Sequence, residues 1–186
     1  MDPDEILLET EATMEKGFEY MQHEFASVRT GKASPALVEN IDVQAYGSTM
    51  KLKQLAVITT PEARLLVIQP FDASTTKDIE RAIKESKIGI NPAVDGKIIR
   101  LPIPALSEER RKDLVKGIKQ MSEEARVRIR SSRRDGLDTL KKAQKDGSLT
   151  EDDLASYEKE IQKLTDGFVK KIDEAVATKE ADILKV

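Results

Sequence analysis

Apolar residues recur at threes and fours in three stretches of the chain and alternate with polar ones in the middle. In the first stretch, Leu7, Met14, Phe18, Met21, Phe25 and Val28 step by threes, fours and one seven, which predicts an amphipathic helix. Asp2 suits its N-cap, Pro3 its first helical position, and Glu5 is placed to complete a capping box. Gly31 is the natural stop and Pro35 prevents continuation, so the helix runs from about residue 3 to about residue 29.

A second helix opens after Pro102 and Pro104, with Ser107 as N-cap and Glu108 and Glu109 in its first turn. Leu114, Ile118, Met121, Ala125, Ile129, Ser132, Gly136, Leu140 and Ala143 form its apolar or small stripe. The spacing is close to an eleven-residue repeat, which predicts a nearly straight rod. Gly147 ends it, and a third helix starts at Thr150 with Glu151, Asp152 and Asp153 behind it. Leu154, Tyr157, Ile161, Leu164, Phe168, Ile172, Val176 and Ile183 carry its buried face. Each rod has only a narrow apolar face, so none is stable alone. Together they predict an antiparallel three-helix bundle with Lys145–Leu149 as a turn. Rods of ~27 to ~38 residues span ~40 to ~57 Å, which makes the bundle elongated.

The middle, about residues 31–105, has strand character. Ile41, Val43 and Ala45 alternate with polar residues, Tyr46-Gly47 turns the chain, and Leu55 to Thr59 is a second apolar run. Arg64 to Pro70 reads as a strand closed by proline, and Ser74 to Ser86 as a short helix with Ile79, Ala82 and Ile83 on one face. Asp95-Gly96 signals a hairpin between Ala93-Val94 and Lys97–Leu101. The expected class is therefore α+β: a bundle from residues 1–30 and 106–186 with a small α/β domain, 31–105, inserted into it. Two linkers join them, Thr30-Gly31-Lys32-Ala33-Ser34-Pro35 and Pro102-Ile103-Pro104-Ala105. Gly31 absorbs dihedral change while the prolines stiffen the arms, which suits a hinge; a fixed elbow is the competing reading.

Composition narrows the chemistry. Charged residues make up 35% of the 186 and aromatics 4%, with no Trp, a balance that favours helices with wet outer faces. The lack of Cys removes disulfides, thiolate metal sites and a Cys nucleophile, and fits a reducing cytosol. No stretch approaches ~18 apolar residues, and Met1-Asp-Pro-Asp-Glu5 has neither a signal peptide's apolar core nor a transit peptide's arginines. A soluble cytoplasmic protein is the expectation. The one histidine, His23, lies opposite Met21, Phe25 and Val28, with no Cys or second His to join it. Glu108-Glu109 and Glu123-Glu124 are adjacent in sequence and point ~100° apart, which suits dipole and solubility roles better than a facing carboxylate pair. No phosphate loop, calcium loop or zinc spacing appears. Neither a catalytic residue, nor a metal, nor a cofactor is expected.

One charged feature stands out against a formal net charge of −3. Arg126-Val-Arg-Ile-Arg-Ser-Ser-Arg-Arg134 holds five arginines in nine residues, and residues 110–134 hold seven of the chain's eleven. Arg126, Arg130, Arg133 and Arg134 fall on one helical stripe, whereas Arg128 points elsewhere and reads as ordinary surface. The stripe lies about a right angle from the apolar face, and within the helix Glu123 and Asp135 are the nearest acids, with Asp135 pointing away from most of it. A solvated face is the competing reading. Guanidinium forks suit phosphate. Without interleaved aromatics, the pattern points to backbone contact with folded RNA or duplex rather than base stacking. The alternative function is a helical-bundle adaptor that binds an acidic protein through the same stripe. Arg111 lies near the apolar azimuth at the helix start, its stem packed and its head wet.

Several motifs together resemble the ribosome recycling factor family: Leu106–Leu114 (LSEERRKDL), Arg130–Asp135 (RSSRRD), Val28–Pro35 (VRTGKASP), Gly89–Pro92 (GINP) and Gln162–Asp166 (QKLTD). The resemblance covers essentially the full chain. It implies an L-shaped, tRNA-sized monomer in which a three-helix bundle meets a β/α/β domain through two linkers. It also implies the function: with elongation factor G and GTP, splitting of post-termination ribosomes into subunits, with no covalent catalysis by the factor. Carried over to this chain, it implies that Arg130 and Arg133 grip large-subunit ribosomal RNA. It places Arg111 on the same helix in that role and Arg29 before the hinge glycine Gly31, with hinges at Thr30–Ser34 and Pro102–Ala105. The usual Arg-Arg-Asp-Ala-Asn-Asp is broken here by Gly136-Leu137. Gly136 costs roughly 1 kcal/mol of helix propensity relative to Ala and suggests the close approach of a neighbouring helix. The ending Ile183-Leu-Lys-Val186 is only family-like.

Overall fold

All three stretches with helical spacing fold as unbroken helices in the structure, a computed structural model that describes residues 2–185. In chain order the elements are α1 (Pro3–Ala26), the hairpin strands β1 (Asp42–Ala45) and β2 (Ser48–Lys51), and a single turn α2 (Leu52–Leu55). Strands β3 (Ala56–Glu62) and β4 (Leu65–Pro70) follow, then α3 (Thr76–Glu85), β5 (Ala93–Asp95), β6 (Ile98–Pro102), α4 (Glu108–Lys145) and α5 (Glu151–Leu184). The chain up to Phe25 and from Asp113 onward forms one compact unit, and Ala26–Lys112 forms the other.

In the helical unit, α1 runs antiparallel to α4 and parallel to α5. A Cβ on Gly136 would reach Thr10 and Ile161, and one on Gly17 would reach Arg128 and Ile129. Tyr157 meets Asp4, the Phe18 and Phe168 rings lie 6.5 Å apart, and Arg126 meets Asp173. The buried stripe of α1 is Ile6, Thr10, Met14, Phe18, Met21 and Phe25, so Ile6 takes the place expected of Leu7. Helix α1 stops at Ala26 rather than near residue 29. Ser27, Val28 and Thr30 are weak helix formers, and Gly31 beyond them has φ +85°. On α4, Ser122 is buried where Met121 was expected, and on α5 Thr165 is buried where Leu164 was expected.

Four hydroxyls therefore lie in this core, and each is satisfied within its own helix. Thr10 donates to the Ile6 carbonyl at 2.8 Å, Ser122 to Lys119 at 2.7 Å, Ser132 to Arg128 at 3.1 Å and Thr165 to Ile161 at 2.8 Å. Buried that way, they carry no unmet hydrogen bond and keep the helix faces thin.

The turn between α4 and α5 is a Schellman motif. Gly147 adopts φ +81°, its N–H reaches the Gln144 carbonyl, and the Ser148 N–H reaches Ala143. The Thr150 hydroxyl then caps α5 by accepting from the Asp153 N–H at 3.0 Å, with three acids in the first turn.

The second unit is an antiparallel sheet in the order β3-β4-β6-β5 beside the β1-β2 hairpin. Tyr46 and Gly47 both have positive φ, 53° and 73°, as a two-residue primed turn requires. Leu66, Ile68, Ile99 and Leu101 of the sheet pack with Ile79 and Ile83 of α3 and with Val43, Leu52 and Leu55. Leu55 closes the turn α2 instead of opening a strand. The short helix starts at Thr76, because Asp72 caps a 3-10 turn over Ala73–Thr75 by accepting from the Ser74 N–H.

Gly136 marks the tightest approach in the helical unit. A Cβ there would lie 2.5 Å from Thr10 Oγ1, 3.1 Å from its Cγ2 and 3.2 Å from Ile161 Cδ1. Thr10 is buried and gives up its bond to Ile6 if it rotates away. Gly136→Ala gains about 1 kcal/mol of helix propensity but overpacks the site at a cost of about 1–3 kcal/mol, with the hydroxyl bond lost besides. The expected net is a loss of about 1–2 kcal/mol in denaturant unfolding, partly recovered when Thr10→Ala is added. A variant more stable than the parent would refute this packing.

The Tyr157 hydroxyl donates to Asp4 Oδ1 at 2.6 Å, and this bond pushes the phenol up to about 12. The neutral phenol is the bonded form. Its contribution is therefore complete below the unfolded-state value near 10 and fades as pH climbs through about 12. Tyr46, bonded to Asp72 at 2.7 Å, is also raised above the usual phenol value. Ultraviolet titration should therefore show the Tyr157 step returning towards about 10 in Asp4→Asn while the Tyr46 step stays where it was.

Candidate nucleic-acid interface

The arginines of α4 take their place from the buried stripe beside them. Ala125, Ile129 and Ser132 are buried, and Arg126, Arg130 and Arg133 each follow one of them, so all three sit on the same flank. Arg134 is two residues past Ser132 and exposed. Arg128 precedes Ile129 and lies on the opposite flank, with its guanidinium 4.5 Å above the exposed ring of Tyr20 and 3.9 Å from Glu124. It is a stacked residue, contrary to the expectation of ordinary surface.

Neutralisation of the stripe is greater than the sequence suggests. Arg126 Nη2 donates to Asp173 Oδ1 of α5 at 2.6 Å, and its Nη1 reaches Ser122 Oγ at 3.3 Å and Glu123 Oε2 at 3.4 Å. Its side chain is only 22% exposed. Arg130, at 55% exposure, donates from Nη1 to Glu123 Oε1 at 3.2 Å. Glu123 thus holds two arginines, one with each oxygen, and does more than serve dipole or solubility. Among the described residues no acid forms an ion pair with Arg133 or Arg134. Arg133 Nε is buried without an acceptor, while the residue as a whole is half-buried. Asp173 escaped the sequence reading because it lies 47 residues away; its one trace is its place just after the core residue Ile172, mirroring Arg126 after Ala125.

A separate basic group lies in the sheet unit. Arg29 Nη2 donates to the Pro104 carbonyl, and burial, then the nearby Arg110 charge, holds its guanidinium below the usual value. Arg111 is half-buried, with Nε lacking an acceptor. The linkers are tied to this unit. Ala33 N–H donates to the Ala63 carbonyl at 2.7 Å and Ile103 N–H to Arg64 at 2.8 Å. Ser34 caps a short 3-10 turn, Ile103 and Leu106 are buried, and Leu106 would touch a Cβ on Gly31 at 3.7 Å. Pro102 ends β6 opposite Leu65. Lys32, Pro104 and Ala105 are exposed, and Thr30 is half-buried.

His23 is exposed on α1. Among the described residues no cluster of His, Cys, Asp or Glu could hold a metal ion, and no helix is long and apolar enough to cross a membrane. Of the family-like ending, Val186 lies outside the described residues.

Long helices, an inserted antiparallel sheet unit and chemistry concentrated in guanidinium groups define an α+β protein built around charged contacts. A sequence model of the family described as "Ribosome recycling factor" matches residues 21–184, and the chain belongs to that family. The ribosome-recycling factor of Akkermansia muciniphila is 58% identical over 100% of both chains, and that of Streptococcus agalactiae is 52% identical over 98% of both. Among solved structures, the solution structure of a ribosome recycling factor aligns over 100% of this chain and 99% of that one, with a TM-score of 0.81 and 39% identity. A T. thermophilus factor, described with E. coli elongation factor G bound to the E. coli post-termination complex, aligns over 100% of both chains with a TM-score of 0.70 and 44% identity.

The two pairs on Glu123 differ in what they hold. Arg126→Ala removes a largely buried strut between α4 and α5 and is expected to lower stability by about 0.5–1 kcal/mol, given the exposed Asp173 partner. Arg130→Ala, confined to one helix and mostly exposed, should leave thermal unfolding within about 0.5 kcal/mol of the parent. Equal destabilisation by both would contradict this division.

Proposed function

We propose that the protein recycles ribosomes: with elongation factor G and GTP, it separates post-termination ribosomes into subunits ready for a new round of translation. Membership of the family over nearly the whole chain is the observation that carries this reading. The helical unit is assigned to large-subunit ribosomal RNA, with Arg130, Arg133 and Arg134 as the available grip. Arg133 supports the assignment best, since its charge meets no acid among the described residues and its stem is already packed. Phosphate can take two parallel hydrogen bonds from each such fork. Arg126 contributes charge from behind, while Arg111 and Arg29 form the second contact.

The factor acts by binding and displacement, as a cytoplasmic monomer that makes no covalent step. Motion between the bundle and the inserted unit is assigned to the linkers Thr30–Ser34 and Pro102–Ala105. The bonds at Ala33 and Ile103 favour their outer ends, Thr30-Gly31 and Pro104-Ala105, as the places that flex.

A subunit-splitting assay with this protein, elongation factor G and GTP, each omitted in turn, tests the reading. Full splitting is expected only with all three. Arg133→Ala should remain folded, split poorly and bind ribosomes about tenfold more weakly, as loss of a charge-assisted contact implies. The slope of log affinity against log salt should fall by about one unit or less. Equal binding by mutant and parent across the salt titration would remove Arg133 from the interface. Association that survives RNase and is made with a protein alone would favour an adaptor.

A further inference from the structure

Glu123 occupies an unexpected position for an acid: at the N-terminal end of the arginine stripe assigned to RNA, with its carboxylate reaching two of the arginines. Its two oxygens go to different guanidinium groups, Oε1 to Arg130 at 3.2 Å and Oε2 to Arg126 at 3.4 Å. A phosphate bridging the same two arginines would present its oxygens in the same way. The two arginines are not equally committed. Arg126 is also held by Asp173 at 2.6 Å and by Ser122, and is 22% exposed. Arg130 has Glu123 as its one acidic partner among the described residues and is 55% exposed. Glu123 is itself 58% exposed. Loss of its charge would therefore free Arg130 while Asp173 keeps Arg126 in place.

We infer that Glu123 is an internal competitor for Arg130: its carboxylate stands where an RNA phosphate would bind and so limits how tightly the factor holds the ribosome. This rests on the assignment of Arg130 to the RNA contact. Binding then becomes an exchange of one anion for another on a guanidinium already held in place. Departure is eased because the released arginine returns to a partner instead of to water. Glu123 is a positioning residue by this account, and it tunes release as well as capture.

Glu123→Gln retains the side-chain shape and an acceptor oxygen but removes the charge. It should tighten ribosome binding by about two- to fivefold, the range spanned by exposed ion pairs. It should also steepen the salt slope by up to about one unit. The slope is a readout that a purely structural role would leave alone. Glu124→Gln serves as the charge-matched control, since that carboxylate lies near Arg128 on the other flank, and it should change binding by less than half as much. In an Arg130→Ala background the gain from Glu123→Gln should vanish. Unchanged or weaker binding by Glu123→Gln overturns the inference. So does an equal gain from Glu124→Gln, or a gain that persists without Arg130. If Arg130→Ala and Arg133→Ala both bind ribosomes like the parent, the RNA assignment itself fails, and this inference with it.

Discussion

Everything in the helical unit depends on how closely α1 and α5 approach α4. The apolar stripes are one residue wide, so three wide-set helices would leave little buried area between them. Gly136, Ser132, Ala125 and Thr10 solve this by being small or self-satisfied, and Thr10 and Ile161 come within 3.2 Å of where a Gly136 Cβ would stand. Close packing fixes the rotation of each helix about its axis. That rotation in turn decides which residues fall on the flank of α4. The arginines carry no information about their own placement; the core residues one position before them do.

Charge is then distributed around this fixed register. Asp173 and Glu123 hold Arg126 at the edge of the core, Tyr20 and Glu124 hold Arg128 on the other flank, and Arg133 and Arg134 form no ion pair with an acid among the described residues. The surface of α4 is graded, from arginines that serve the fold to arginines available to a partner. A protein of net charge −3 can present a local cationic strip because the compensating acids are aimed at particular guanidinium groups.

The three rods, the hairpin at Tyr46-Gly47 and the strand at Arg64–Pro70 were legible because period and turn chemistry agree there. The second hairpin is present but turns one residue later than expected, at Gly96-Lys97, because Asp95 still pairs with Ile98. Stripe membership was less so. Thr10, Ser122 and Thr165 are core residues that an apolar alphabet rejects, and their burial depends on donating to a carbonyl three or four residues back. Helix ends misled for a related reason: Gly31 reads as a stop, yet the chain leaves the helix at Ala26 and places its glycine in a linker. Of the arginine surface, the flank was readable from spacing alone. The acids that subdivide it were only half readable, since Asp173 comes from another helix and Glu123 from a position that looks like helix decoration.

The bundle is built from the two ends of the chain, with the sheet unit in between. The hydroxyl of Tyr157 closes on a carboxylate 153 residues earlier, and most core pairs of α1 span comparable distances. Residues 26–112 form a continuous unit, so the sheet can complete itself as it is made. Helix α1 is made first and has no partner until α4 and α5 appear, roughly 8–30 s later at the usual pace of about 5–20 residues per second. During that interval its stripe of methionines and phenylalanines is uncovered, and a lone helix of this length is only marginally stable in water. Helix α1 is thus made well before either helix that covers it, and the growing chain carries an open apolar stripe that the finished fold does not.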